Sequence, residues 1–213
     1  VLADLGADVI KVEPPEGDRT RANVGFGSAL FPVFNRNKRS IGIDIKSDAG
    51  RAVIHKVIGG ADALIENFAY GTMERLGLGY AQLASAYPRL IYCGLKGFLG
   101  GPYEKRAALD EIVQFMGGLA YMTGPSGKPL RAGSSVVDIM GGMFGALGIM
   151  AALREREHTG RGQLVQSALF ESTAFLVAQH MGQQALTGVA PRPMPEKASS
   201  WAVYDPFQTA DGK

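Results

Sequence analysis

Residues Pro129 to Gln163 read PLRAGSSVVDIMGGMFGALGIMAALREREHTGRGQ: a loop, one carboxylate, a long uncharged run and a charged end. The loop, with Gly133, Ser134 and Ser135, leads through Val136 and Val137 to Asp138. Ile139 to Leu153 carries no charge, and Arg154, Glu155, Arg156, Glu157 and His158 follow before a Thr159-Gly160-Arg161-Gly162 turn. An apolar run rich in Ala, Leu and Met and ending in charge predicts a buried helix. A membrane span wants ~20 apolar residues. This run is shorter and is broken by Gly141, Gly142, Gly145 and Gly148, so it reads as a core helix. Each of those glycines costs a helix about 1 kcal/mol against Ala. That cost points to close packing, or to close approach of a ligand near the Asp138 end. Asp138 falls where a helix N-terminus presents unpaired N–H groups and a positive dipole, an environment expected to keep a carboxylate ionised. On the residues alone it is a helix N-cap, the simpler reading, or a nucleophile.

Upstream, the chain alternates strands and helices. Asp8 to Glu13 (DVIKVE) and Phe34 to Lys46 (FNRNKRSIGIDIK) each contain a strand, the second with Ile41, Ile43 and Ile45 on one face. Arg36, Lys38 and Arg39 ahead of those isoleucines form either a solvated basic turn or a phosphate contact. Ser47 starts a helix with Val53, Ile54, Val57 and Ile58 on one face, and Gly59-Gly60 stop it. Ala63 to Glu66 is the next strand, so strand, helix and strand predict a parallel βαβ unit. Asn67, Phe68 and Ala69 then lie at the C-terminal end of a strand, where open parallel sheets place ligands. Leu90 to Leu95 and Leu164 to Ser167 are further strands. Arg106 to Gln114 opens a helix, Gly117 to Lys128 makes a turn, and Ala168 to Leu186 reads as one apolar helix. The proline-rich run from Pro191 to Lys197 reads as a linker.

The 213 residues are 46% hydrophobic and 20% charged, which fits a globular domain with a sizeable core. A net charge of +2 gives no argument for nucleic acid or for a membrane surface as partner. The lone Cys93, in LIYCGL, reads as a buried strand residue; no internal disulfide is possible, and a reducing cytoplasm is the expected location. His55, His158 and His180 have no metal-type spacing, and no metal site is expected. P-loop, HExxH and GxSxG patterns are absent, and Gly25-Phe26-Gly27 lacks the third glycine of a dinucleotide loop. The chain opens abruptly at Val1 and stops at Lys213, and both ends are expected to be cuts in a longer protein.

The central segment resembles the active-site region of the class III CoA-transferases, the family that also holds formyl-CoA transferases, carnitine CoA-transferases and 2-methylacyl-CoA racemases. Its pattern is an Asp, a helix of the type GIxAAL, a charged end and TGxGQ. Here these are Asp138, Gly148 to Leu153, and Thr159 to Gln163. Gly6 to Asp18 is similar to the family's GADVIKVEPPxGD, Asn35 to Lys46 to its NxxKRSxxLDLK, and Glu66 to Leu78 to its ENFRPGxxxRLGL. Lys96 to Tyr103 resembles the family's SGFGxxGPY loop. Ala69-Tyr70 replaces the usual Arg-Pro, which removes one positive charge.

The resemblance implies an α/β, Rossmann-like domain: an open, mostly parallel sheet with helices on both faces. Residues 1–190 would form the large domain without its first strand, and 191–213 a linker and the start of a smaller second domain. It implies Asp138 as the catalytic carboxylate. It also implies CoA-lining positions at Ile43, Asp44, Ile45 and Lys46, at Asn67, Phe68, Ala69 and Arg75, and at Ala107, Ala108, Leu109 and Asp110. Asp110 is otherwise a helix-start residue. The implied reaction moves CoA from an acyl-CoA to a small carboxylic acid through an aspartyl anhydride and an aspartyl-CoA thioester. CoA is then a substrate, with no cofactor bound permanently, and backbone N–H groups near the helix start are candidate oxyanion donors. An interlocked homodimer is implied as well. The alternatives are a 2-methylacyl-CoA racemase and a non-catalytic CoA-binding protein. The racemases place a His immediately before the loop Asp, and here that position is Leu109, which counts against two-base chemistry.

Overall fold

The computed structural model describes residues 1–196 and 207–212. The last residue of the proline-rich linker and much of the 191–213 segment therefore lie outside the described residues.

Parallel strands in two groups carry the fold. Strand β1 (Val9–Glu13) pairs with β2 (Lys38–Gly42), Val9 opposite Lys38 and Glu13 opposite Gly42. Strands β3 (Ala63–Glu66), β4 (Ile91–Lys96) and β5 (Leu164–Ala168) form the second group in that order, with Cys93 facing Ile65 on one side and Val165 on the other. The expected βαβ unit through the Ser47 helix does not form a ladder, because β2 pairs with β1 and β3 with β4.

The strand expected over Ile41, Ile43 and Ile45 is shifted toward the N-terminus and ends at Gly42. Turn chemistry ends it there. Asp44 accepts the Lys46 N–H on Oδ1 at 3.0 Å and the Ser47 N–H on its carbonyl at 3.1 Å, a local alternative to the ladder. Arg36, Lys38 and Arg39 are consequently at or inside β2, where Arg36 pairs with Asp4 and Arg39 with Asp8.

Helix α2 (Asp48–Gly59) starts as expected, with Ser47 Oγ accepting the Gly50 N–H at 3.0 Å. Its buried Ile54 and Ile58 join Ile43, Leu90 and Tyr92, together with Met73, Leu78 and Leu83 from the connection between β3 and β4. That connection holds α3 (Thr72–Arg75) and α4 (Tyr80–Ala86). The other face of β4, with Ile91 and Cys93, meets Ile149 and Ala152 of α7 (Val136–Thr159). Period-two alternation along β4 thus puts helices on both sides of the sheet.

Helix α7 takes in the charged end of the run as well, and its 24 residues span about 36 Å. It is long and apolar enough to cross a membrane by length and composition alone. Here two of its glycines lie on the sheet. A Cβ on Gly145 would sit 2.7 Å from Leu95 Cδ2, and one on Gly148 2.6 Å from Val165 Cγ1, so the cost of those glycines goes into close packing. A Cβ on Gly142 would meet nothing within 4 Å among the described residues. The far face of α7 exposes Ile139, Met143, Leu147 and Met150 as one stripe.

Three details differ from expectation. The single helix over 168–186 is two, α8 (Leu169–Leu176) and α9 (Ala178–Thr187), broken at Val177. Ser172 and Thr173 turn their hydroxyls back onto the Ala168 and Leu169 carbonyls, the back-bonding that bends helices. Residues 117–128 hold a short helix, α6 (Leu119–Thr123), started by Gly118 in the left-handed region. In β1 the apolar alternation fails, since Ile10 is exposed while Glu13 is buried. Arg21 grips both Glu13 oxygens at 2.8 and 2.7 Å, and the Asp18 N–H adds a third bond. Helix α1 (Leu30–Phe34) lies along the chain between the two strands of the first group.

Candidate active site

Asp138 is the third residue of α7, in its first turn. The N-cap position belongs to Ser135, so the N-cap reading of Asp138 does not hold. The residue as a whole is exposed while its carboxyl is partly buried, and among the described residues no hydrogen bond or ion pair reaches that carboxylate. Burial pushes its pKa up, the negative charges of Asp110 and then Glu111 push the same way, and Arg131 opposes them. A free carboxylate of raised basicity is suited to attack an electrophilic carbonyl.

Asp110 starts the helix α5 (Asp110–Met116) and is 3% exposed. Its Oδ2 accepts the Val137 N–H at 2.9 Å and the Asp138 N–H at 3.1 Å. Its Oδ1 accepts from Arg131 Nη2 at 3.2 Å and from Gln114 Nε2. Gln114, fully buried one turn along α5, accepts the Ala132 N–H on Oε1 at 2.8 Å. One face of α5 therefore fixes both the approach loop and the first turn of α7. Two of the backbone donors expected to serve an oxyanion, those of Val137 and Asp138, are committed to Asp110. The outer face of α5 bounds an open depression of about 360 Å³ lined by Glu111, Ile112, Phe115 and Met116.

The other positions gather around the C-terminal strand ends. Asn67, Phe68 and Ala69 leave β3 exposed to solvent. Their loop is tied down by two residues that the sequence did not single out for the site. Glu66, buried, accepts the Phe68 N–H at 2.9 Å and Lys96 Nζ at 2.8 Å, and Lys96 Nζ also donates to the Phe68 carbonyl at 2.8 Å. The signal for this pair was present: opposite charges at the ends of two adjacent strands. Arg75 ends α3, is exposed, and donates to Thr72 Oγ1 at 2.8 Å. Lys105 Nζ lies 5.4 Å from the Tyr70 ring centroid, which joins this loop to the next one.

Ala107, Ala108 and Leu109 lead into α5. Ala107 and Leu109 are exposed, while Ala108 packs so closely on Gly97 that a Cβ there would be 2.5 Å from the Ala108 Cβ. The turn after β2 splits its roles. Ile43 is buried in the core beneath α2, Ile45 packs at the edge of that core, and Asp44 and Lys46 are exposed. The structure brings Asp110 directly to Asp138; no hydrogen bond among the described residues joins the 43–46 turn to either. Among the described residues no group of His, Cys, Asp and Glu is arranged to hold a metal ion.

A family model described as CoA-transferase family III matches residues 1–213. The acetyl-CoA:oxalate CoA-transferase of Acetobacter aceti is 40% identical over 218 residues, covering 99% of this chain and 56% of that protein. The succinyl-CoA:mesaconate CoA-transferase of Haloarcula hispanica is 37% identical over 227 residues, covering 100% of this chain and 57% of its own length. The crystal structure of a CAIB/BAIF family protein from Brucella suis superposes with a TM-score of 0.90 at 38% identity, over 99% of this chain and 58% of that one. The chain spans about half the length of the curated relatives it matches.

Proposed function

The chain belongs to CoA-transferase family III, and from that premise we propose that it carries the nucleophile of an enzyme moving CoA from an acyl-CoA to a carboxylic acid. The observation that carries the reading is the Asp138 carboxylate on the first turn of α7, unbonded among the described residues. Relatives named as CoA-transferases for oxalate and mesaconate support carboxylic acids as acceptors.

In the proposed sequence an Asp138 oxygen attacks the thioester carbonyl, the C–S bond breaks, and CoA leaves as the thiolate. The product is a mixed anhydride between Asp138 and the donor acyl group. The thiolate then attacks the Asp138 carbonyl, which releases the donor acid and leaves an aspartyl-CoA thioester. The acceptor carboxylate attacks that thioester, and the steps reverse. Each exchange conserves the thioester energy by splitting one displacement into easier ones.

CoA is the substrate in this account. The Ile43–Lys46 turn, the Asn67–Ala69 loop with Arg75, and the Ala107–Asp110 entry to α5 are its proposed lining. For Asp110 that contact would be to its backbone, since its carboxylate is fully engaged. A homodimer in the cytoplasm, without nucleic-acid or membrane partners, completes the proposal. The exposed apolar stripe of α7 supports a further protein surface covering it. The proposed large-domain assignment covers residues 1–190. The test is to incubate the full-length protein with acyl-CoA donors and dicarboxylic acids and to follow acceptor-CoA formation. Exchange of an α-proton with solvent deuterium, with no requirement for an acceptor, would instead indicate a racemase.

A further inference from the structure

Two helix N-termini meet at one buried carboxylate. Helix α5 begins at Asp110 and α7 at Val136, and neither Leu109 nor Ser135, the residues at their N-cap positions, supplies a side-chain cap. The N–H groups of the second and third residues of a helix are those that a capping oxygen normally takes. In α7 these belong to Val137 and Asp138, and both point at Asp110 Oδ2, on a different helix and 28 positions earlier for Asp138. The second oxygen of Asp110 is occupied by Arg131 and Gln114. The cap that α7 lacks locally is thus supplied from α5.

We propose that Asp110 is a positioning residue for Asp138, fixing the first turn of α7 from outside and setting the charge around the nucleophile. This rests on the reading of Asp138 as the attacking group. The charged groups that face Asp138 are Asp110 and Glu111 from α5 and Arg131 from the approach loop. The one charged residue of α8, Glu171, is turned to the Leu99 N–H. Of these, Asp110 exerts the largest charge effect, and it is buried, where screening by water is weakest. A neighbouring negative charge makes a carboxylate a stronger base and so a stronger nucleophile. Arg131 works the other way, so the two residues should shift Asp138 in opposite senses.

The test uses the full-length protein with ¹³C-labelled aspartate, the Asp138 carboxyl being assigned by its loss in Asp138→Asn. In Asp110→Asn the Asp138 carboxyl should titrate measurably lower than in the wild type. Amide exchange at Val137 and Asp138 should quicken about 10-fold as the cap weakens. With an acyl-CoA donor, kcat should fall about 10-fold or more while KM changes by less than about threefold. Arg131→Met keeps the cap, removes the opposing charge and should move the Asp138 titration upward, which decides the matter if Asp110→Asn does not fold. Unchanged titration in the folded variants overturns the proposal, as does a loss confined to KM. The carboxyl titration needs no turnover. If wild type forms no adduct at Asp138 while the titration shifts as stated, the transferase reading fails and the positioning of Asp138 by Asp110 stands.

Discussion

The amide nitrogen of Asp138 lies 3.1 Å from Oδ2 of Asp110, so the backbone of an exposed residue hangs from a buried carboxylate. The pairing has a consequence for pH. Asp138 must be ionised to attack, and burial together with the charges of Asp110 and Glu111 raises its pKa. The acid limb of kcat/KM should therefore lie above about 3.9, the ordinary aspartate value, with the rate rising as pH increases through it. The same shift has a stability side. A carboxylate with a raised folded-state pKa contributes stability below its unfolded pKa and loses it as pH rises through the folded one. At neutral pH, Asp138→Asn should accordingly melt at or above the wild-type temperature while losing activity, as paired calorimetry and kinetics would record.

The glycines of α7 separate by what lies over them. Gly148 faces the stiff Val165 side chain, and Gly148→Ala should destabilise by about 1–3 kcal/mol through overpacking. Gly142 faces open space one turn after Asp138, and Gly142→Ala should stabilise by up to about 1 kcal/mol through helix propensity. Urea unfolding of the two variants measures both signs. Equal effects would mean that α7 does not lie on the sheet as described.

The Glu66–Lys96 pair holds the loop that carries Asn67, Phe68 and Ala69. Lys96→Met removes the cationic partner of the buried Glu66, which keeps the Phe68 N–H and the Tyr92 hydroxyl, and frees the Phe68 carbonyl. We expect KM for acyl-CoA to rise about 10-fold with kcat changed less, because ground-state and transition-state binding are lost together. Steady-state kinetics with varied acyl-CoA would check the division.

Much of the candidate site could be read from sequence because the motifs are local. Asp138, the Asn67–Ala69 loop and the Ser47 cap follow from short patterns, and each is found at its expected place on a helix start or strand end. What the sequence did not reveal was the pairing of distant residues. Asp110 read as a helix start or a cofactor contact because nothing local indicates that its carboxylate reaches Val137. The β2 boundary was missed because the alternating isoleucines outweighed the Asx turn at Asp44. The break at Val177 depends on hydroxyls bonding back onto their own helix, which an apolar pattern does not register.

The buried Glu13 gives the fold an acid-sensitive point. Arg21, then Ser40, hold its pKa far below the usual carboxylate range, and Lys11 with Thr20 brings Asp18 down to about 2. Both are depressed relative to the unfolded chain, so their contribution is present above about 4 and is lost as pH falls toward the folded values. Stability should drop between about pH 4 and pH 2, and Glu13→Gln should flatten that slope. Thermal melts across this range would show it.

The most direct measurement is intact and peptide mass spectrometry of the full-length protein after incubation with a panel of acyl-CoA donors and trapping with hydroxylamine or borohydride. The account predicts a hydroxamate or reduced product at Asp138, absent in Asp138→Ala. Turnover of the acceptor acid with no modification at Asp138, or the same modification in the Asp138→Ala variant, would contradict it.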